Sequence, residues 1–351
     1  MKKFLVKIVV AFLSVLLIWG GLYLYYYSEV FPNQSGDIGS LGKIPFGKKY
    51  EAEFSVPFPS HMVCITDTST ALAKDTSLHV AIVGDSFSHR GNTGFVNFTG
   101  LYLGEKVAFF DWDWPNPNYN PTSTLIGLLN SGYFQGTSIR TVVLDVVERN
   151  FVSNIMDANL KYCGNNLRFH LGNRTPKKKD KNIWQPFLDT KQSFEEARNY
   201  LVLRSGVQGS INREKLSRDF FTACPDELYY YSYDLCRLSV SQKEQAKIKT
   251  KLMELKDLAA SKGIRLIVMM PVDKYDLYQP YIVGNGVPQN MMSETLRTLV
   301  DSDFLIISKP YLRAMLAKGE KDVFLANDTH WSYKAANVMG KVLAREIRKD
   351  L

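Results

Sequence analysis

The sequence HVAIVGDS, residues 79–86, is an apolar run that ends in a glycine, an aspartate and a serine. A short, continuous apolar run is typical of a strand that is buried on both faces of a parallel sheet. Ser86 would then lie at the carboxyl end of that strand, where such sheets gather their functional loops. If a helix begins soon afterwards, backbone N–H groups around Ser86 would be available to an oxyanion. The alternative is that Asp85 and Ser86 only cap that helix.

Other apolar, β-rich runs follow along the chain, at residues 106–110, 139–147, 264–270 and 304–307. Helical patterns lie between them. The clearest covers residues 241–262, where Ser241 and Glu244 form a capping box and Gly263 ends the helix. The last covers about residues 332–348. Alternating strands and helices predict an α/β fold of three layers around a mostly parallel sheet.

A second polar motif, ANDTHWS at residues 326–332, immediately precedes the last helix. Only five histidines occur in the chain, and His330 has an aspartate two residues before it. The Asp328 carboxylate can orient the imidazole and stabilise the imidazolium that forms when His330 takes a serine proton. The alternative is a simple turn, with Asp328 or Ser332 capping the helix and His330 merely exposed.

The N-terminus has the pattern of a membrane anchor. Lys2, Lys3 and Lys7 precede an uncharged run, residues 8–27, that is long enough to span a bilayer. Since no small-residue cleavage site follows closely, residues 1–30 are predicted to be a cytoplasmic flank and an uncleaved signal anchor, a single transmembrane helix, rather than a cleaved signal peptide. The rest of the chain would be extracytoplasmic, on the periplasmic or extracellular face.

The exported part divides into a stalk segment, residues 31–77, and a catalytic domain, residues 78–351. Residues 150–240 interrupt the alternation of strands and helices and are interpreted as an insertion. The insertion contains a basic run at residues 174–179, which is typical of a solvated loop. It also contains a capped helix that begins near Ser193.

The four cysteines have no spacing typical of a zinc site, and we expect no metal. Export permits disulfides. Cys224 with Cys236 would close a short loop, and Cys64 with Cys163 a long one. Three connectivities are possible, and free thiols are the alternative. The short pair is the prediction made here, because its members are close in sequence.

The strand followed by Gly-Asp-Ser and the later Asp-x-His resemble the SGNH, or GDSL, hydrolase superfamily. With the anchor, residues 328–332 are similar to the extracytoplasmic polysaccharide O-acetyltransferases of the alginate type. The resemblance covers roughly residues 78–350 and implies a flavodoxin-like SGNH domain with Ser86 as nucleophile, His330 as general base and Asp328 as orienting acid. In the alginate enzymes, however, the Asp-x-His pair precedes the serine. The Gly-x-Asn-Asp block, which supplies an oxyanion-hole asparagine in many SGNH hydrolases, is missing here.

Two features are candidates for substrate binding. Arg149 follows the strand at residues 139–147 and would bind an anionic substrate or the oxyanion, or else pair with Glu148 or Asp145. Trp112 and Trp114 lie in a loop of aromatic residues and amides that suits sugar rings. The alternative for both indoles is local packing in the core.

The net charge of +8 suits an anionic partner such as a membrane face or an acidic polymer, or is simply a basic surface. The predicted function is transfer of an acyl group, by expectation acetyl, through a Ser86 ester to a cell-surface or exported polysaccharide. The resemblance implies a polytopic membrane O-acyltransferase as acyl donor. The alternatives are an esterase that deacetylates such glycans and a non-catalytic glycan-binding scaffold. Neither a cofactor nor a nucleic-acid partner is expected.

Overall fold

The computed structural model describes most of the chain, namely residues 2–25, 36–42, 58–65, 77–110, 120–163, 210–284, 286–300 and 304–350. Its strands are β1 (Met62–Ile65), β2 (Val80–Val83), β3 (Val107–Phe110), β4 (Thr141–Asp145), β5 (Ile211–Lys215), β6 (Glu227–Tyr231), β7 (Arg265–Met270) and β8 (Leu305–Ile307). Its helices are α1 (Lys2–Tyr25), α2 (Gly36–Gly42), α3 (Phe95–Leu103), α4 (Pro121–Asn130), α5 (Glu148–Met156), α6 (Gln242–Ser261), α7 (Lys274–Tyr278), α8 (Met292–Leu296), α9 (Lys309–Ala317) and α10 (Tyr333–Ile347).

Six strands form one sheet in the order β1, β3, β2, β4, β7, β8, and every neighbouring pair is parallel. Without the edge strand β1, this is the flavodoxin-like order, in which the second strand of the chain lies outside the first and the later strands follow on the other side. The chain therefore reverses its direction across the sheet between β2 and β4. The predicted fold class, a three-layer, flavodoxin-like α/β fold with a mostly parallel sheet, is confirmed.

The sheet is buried on both faces, as continuous apolar strands require. Along β2, Val80 and Ile82 enter one apolar cluster, whereas Ala81 and Val83 enter the other. Helices α3 and α10 cover the first face, and α4, α5 and α6 cover the second. These contacts make the three predicted layers.

The sequence signals for helix ends predict the bounds of α6 and α10 to within about one residue. Ser241 and Glu244 form the predicted capping box at the start of α6, whose buried side chains recur at helical spacing. Ser332 caps α10 by accepting from the backbone N–H of Lys334. The strand bounds are less exact, since the run at residues 139–147 contains a strand only over β4.

Parts of the stalk segment belong to the folded domain, although the predicted domain begins only at residue 78. Strand β1 pairs with β3 along its whole length, and Ile38 of α2 is fully buried in the core. Both pieces are short, and their sequence shows no helical or strand period. Within the insertion, β5 and β6 form a separate antiparallel hairpin. The basic run at residues 174–179 and the helix expected near Ser193 lie outside the described residues.

Helix α1 contains a candidate membrane-spanning segment, Lys2–Leu22, whose mean hydropathy is 2.4 and which is not buried against the rest of the protein. It is the one helix of the described residues that is long and apolar enough to cross a bilayer, and it is compatible with a signal anchor or a single span.

The predicted disulfide between Cys224 and Cys236 is wrong, because all four cysteines are free thiols. Strand β6 lies between these two cysteines. A bridge would need their Cα atoms within about 7 Å, which closeness in sequence alone does not provide.

Candidate active site

Ser86 lies just beyond the carboxyl end of β2, beside the reversal in strand order. Residues 85–89 form a tight turn in which the N–H of His89 donates to the carbonyl of Ser86. Gly84 makes this turn possible, since a Cβ there would lie 2.1 Å from the Ser88 Oγ. No helix begins directly after Ser86. Helix α3 starts later, with Gly94 as its N-cap, so Asp85 and Ser86 do not cap it.

Two buried carboxyl groups fix the turn to the end of β4. The Asp85 side chain accepts from the backbone N–H of Phe87 at 3.0 Å and of Val147 at 2.6 Å. The Asp145 side chain accepts from the Ser88 hydroxyl at 2.6 Å. Burial raises the pKa of Asp85, and burial together with the nearby Asp85 raises the pKa of Asp145 well above its usual value. Together the two carboxyl groups hold the turn that carries Ser86 against the end of β4.

The second motif forms a short loop that turns back on itself before α10. Phe324 and Trp331 pair as an isolated antiparallel bridge, and the Leu325 N–H donates to the His330 carbonyl at 3.2 Å. The Phe87 ring lies 4.8 Å from the His330 ring and 5.1 Å from that of Trp331. The residue after the serine therefore packs directly on the histidine loop, which brings the two motifs together.

The three predicted catalytic residues lie in one hydrogen-bonded line. Ser86 Oγ is 2.8 Å from His330 Nε2, and His330 Nδ1 is 2.5 Å from Asp328 Oδ1. Asp328 Oδ1 also accepts from the His330 backbone N–H at 3.0 Å. Burial acts to raise the pKa of Asp328, but the His330 and Arg90 charges and the hydrogen bonds outweigh it and lower that pKa. This is the geometry in which a histidine can take a serine proton.

Arg90 and Lys274 support the aspartate and its loop. Arg90 Nη1 lies 3.3 Å from Asp328 Oδ2. The buried Lys274 ammonium donates to the carbonyls of Leu325, Ala326 and Asp328 at 2.7, 2.9 and 3.1 Å. Its three donors are thus all directed at the histidine loop. Burial lowers the pKa of Lys274 to about 7, against the nearby carboxylates that raise it.

Arg149, predicted to bind substrate, lies among carboxylates. It pairs with Asp273, which also accepts its backbone N–H at 2.7 Å, and with Asp234 at 3.4 Å. The alternative prediction for Arg149 was an ion pair with Glu148 or Asp145, and the structure shows two other carboxylates as its partners. Burial acts to lower the pKa of Arg149, but these carboxylates raise it above its usual value. A role in substrate binding stays a prediction for Arg149, as it does for Trp112 and Trp114, which lie outside the described residues.

One group of side chains in the described part of the chain has the composition of a metal site. Ligand atoms of Asp37, Asp328 and His330 lie within 4.8 Å of one another. The atoms of Asp328 and His330 already bond to each other, so the arrangement fits a hydrogen-bonded triad, and we assign no ion to it.

Sequence reasoning missed several of these residues. Lys274 follows β7 closely, and Arg90 follows Ser86, so the rule that located Ser86 at the carboxyl edge of the sheet would also have indicated them. Asp37 gives no such signal, since it lies in the stalk segment, far from both motifs in sequence.

A comparison with known protein families agrees with part of this description. A family model described as "SGNH hydrolase-like domain, acetyltransferase AlgX" matches residues 222–351, which include Asp328 and His330 but not Ser86. No protein with a curated description matches the chain. A solved structure of the inhibitor-bound form of the M. smegmatis aryl esterase aligns with a TM-score of 0.32 and 10% identity, over 78% of this chain and 99% of that one.

Proposed function

We propose that the chain is a serine-dependent O-acyltransferase, by preference an O-acetyltransferase, that modifies an exported or cell-surface polysaccharide. The observation that carries the proposal is the line from Ser86 Oγ to His330 Nε2 and from His330 Nδ1 to Asp328. The match of residues 222–351 to an acetyltransferase family supports transfer, and a polysaccharide acceptor follows from the sequence resemblance.

In the first half of the reaction, His330 Nε2 takes the Ser86 proton as Oγ attacks the acyl carbonyl carbon of the donor ester. The tetrahedral intermediate collapses as His330 gives that proton to the departing donor oxygen, which leaves the acyl group on Ser86. In the second half, His330 takes the proton of the acceptor hydroxyl, whose oxygen attacks the Ser86 ester. The proton then returns to Ser86, and Asp328 stabilises the imidazolium each time it forms.

The oxyanion of each tetrahedral intermediate needs hydrogen-bond donors. Among the described residues, the Ser86 backbone N–H has no acceptor, whereas the N–H groups of Phe87, Ser88 and His89 already donate within the turn. We assign the Ser86 N–H as one oxyanion donor.

The proposed localisation follows from α1. With its lysines on the cytoplasmic side, α1 would be a single-pass anchor, and the domain would act outside the membrane. Since acetyl-CoA is cytoplasmic, the acyl group must be handed across. The proposed donor is a polytopic membrane O-acyltransferase, and the proposed acceptor is a polysaccharide hydroxyl.

The test is intact-mass measurement of the full chain in detergent after incubation with an activated acetyl ester. We expect one added acetyl group, located at Ser86 by peptide mapping. Candidate glycans are then added, and we expect the acetyl group to appear on a glycan faster than water removes it.

Two variants control the test. Ser86→Ala should take up no acetyl group, whereas Ser153→Ala, on the exposed side of α5, should behave as the wild type. Acetyl groups that leave Ser86 equally fast with and without every glycan would identify an esterase instead. A wild-type chain that never acylates at Ser86 would refute both enzymatic functions and favour a glycan-binding scaffold.

A further inference from the structure

The stalk segment does more than lead from α1 to the domain, because α2 docks on the histidine loop. The Gly39 N–H donates to the Asn327 carbonyl at 3.1 Å. Gly36 has a φ of +69°, and a Cβ there would lie 2.2 Å from the same carbonyl oxygen. Ile38, fully buried, fixes the segment to the core. This end of the stalk is therefore held in one place.

That placement directs Asp37 at the catalytic motif. Asp37 Oδ1 accepts from the Thr329 backbone N–H at 2.7 Å, and Oδ2 accepts from the Thr329 hydroxyl. Asp37 Oδ2 also lies 3.6 Å from His330 Nδ1. The carboxyl group thus holds the residue between Asp328 and His330 by both of its donors, and it faces the imidazole beside Asp328.

We propose that Asp37 is a positioning residue of the active site, by which the stalk segment completes the triad. It acts through Thr329 on the orientation of His330, and its charge stabilises the imidazolium that forms during each proton transfer. The inference rests on the proposed function of Ser86 and His330 as a catalytic pair.

The effect of the Asp37 charge depends on which other charged groups face the His330 imidazole. Asp328 lies on its own loop, Arg90 approaches from the loop after β2 with Nη1 at 3.5 Å from Nδ1, and Asp37 comes from α2. Lys274 adds a positive charge at the carbonyls of the same loop when it is protonated. Burial and the Asp328 charge raise the pKa of Asp37, while His330 and the Thr329 hydrogen bonds act to lower it. As a carboxylate, Asp37 offsets the positive charge of Arg90.

The test measures how fast a fluorophosphonate, a serine-reactive probe that needs no native substrate, labels Ser86 across pH in the full chain in detergent. Asp37→Asn removes the charge and keeps an acceptor for Thr329. Asp37→Ala removes both. Glu105→Gln is the matched control, because it removes a carboxylate that pairs with His79, before the amino end of β2.

We expect labelling of the wild type to rise with pH. Without the Asp37 charge, the protonated imidazole is less stable, so the midpoint of that rise should fall by roughly 0.5 to 1 pH unit in both Asp37 variants. The plateau rate should fall by about tenfold in Asp37→Ala, because the loop loses its anchor, and by less in Asp37→Asn. Glu105→Gln should change neither quantity.

Circular dichroism checks that each variant folds. If Asp37→Ala does not fold, the result for Asp37→Asn alone decides the test. Wild-type midpoints and plateaus in the folded Asp37 variants would overturn the inference. A wild-type chain that is labelled at Ser86 but transfers no acetyl group would refute only the proposed function, and the comparison at Asp37 would still stand. A wild-type chain that is not labelled would refute both.

Discussion

Two histidine–carboxylate pairs lie near opposite ends of β2. Before its amino end, His79 Nδ1 is 2.9 Å from Glu105 Oε2, with 42% and 24% of the two side chains exposed. Beyond its carboxyl end, His330 Nδ1 is 2.5 Å from Asp328 Oδ1, with 10% and 6% exposed. Both pairs join the same types of group through the same ring nitrogen. They differ in burial and in what binds the remaining atoms.

The buried pair contacts a third group that can act as a nucleophile. His330 presents its second nitrogen to Ser86, and the loop of Asp328 is held by Lys274. The exposed pair is partly open to solvent, so its contribution to stability is small. A histidine beside a carboxylate is therefore a weak signal by itself, and the third group in line gives it chemical meaning.

The largest difference in acyl transfer between the two pairs is expected for substitutions at the nucleophile and its base. Ser86→Ala and His330→Ala should each lower acyl transfer by roughly 10⁴-fold or more, whereas His79→Ala should leave the rate within about twofold of wild type. The measurement is transfer from an activated acetyl ester. The double variant of Ser86 and His330 should be scarcely worse than either single variant, because the residues act as one unit. A Ser86→Ala protein that still transfers would refute the triad.

Asp328→Asn tests the orienting carboxylate. The amide cannot stabilise the imidazolium and favours the wrong tautomer, so we expect transfer to fall by about 10² to 10⁴-fold, no more than for His330→Ala. Glu105→Gln makes the same chemical change in the exposed pair and should have no effect on the rate. Equal losses in the two variants would show that the carboxylates act on folding instead.

Lys274→Met tests the support beneath the buried pair. Loss of three hydrogen bonds to buried carbonyls should lower the free energy of unfolding by about 1 to 3 kcal/mol at neutral pH. The exposed Lys318→Met, at the end of α9, should have little effect. Denaturant unfolding of the full chain in one detergent measures both, and equal values for the two variants would contradict the role of Lys274.

The same lysine predicts a pH dependence. Its pKa is about 7 in the folded chain and 10.5 as the ordinary value, so between these pH values the unfolded chain binds more protons. The free energy of unfolding should therefore rise with pH across this window, by up to about 1.4 kcal/mol per unit from this group. Lys274→Met should remove that rise. A slope that is unchanged in the variant would show that other groups cause it.

The smallest effect is expected at the exposed pair itself. Glu105→Gln should lower the free energy of unfolding by about 0 to 1 kcal/mol, since surface pairs of this kind contribute little. Denaturant unfolding at low and high salt measures this, and a loss well above that range would mean that the pair is structural.

Much of the fold follows from the sequence, because strands buried on both faces leave a clear apolar pattern. The runs that contain β2, β7 and β8 stand out for that reason, and the capping box marks α6. Strand β1 was missed, although its four residues are all apolar. The segment around it mixes polar and apolar residues, so this short run is not distinct from the rest of the stalk segment.

The site was predictable where chemistry and chain position coincide. Ser86 follows a strand and Asp328 precedes His330 by two residues, so both motifs can be identified locally. Asp37 is different, since it is 292 positions from Thr329, and only the folded chain brings them together. The Cys224 and Cys236 pairing failed for the converse reason, because closeness in sequence was taken for closeness in space.

The docked stalk also limits how far the catalytic centre can travel. Helix α1 ends at Tyr25 and α2 begins at Gly36, and the chain between them reaches at most about 40 Å even when fully extended. Asp37, the next residue, already lies beside His330. If α1 is the anchor, this segment keeps the triad within about 40 Å of the end of α1. A polysaccharide acceptor would have to come within this distance of the membrane anchor to be modified. An acyl donor embedded in the membrane next to α1 would already lie within it.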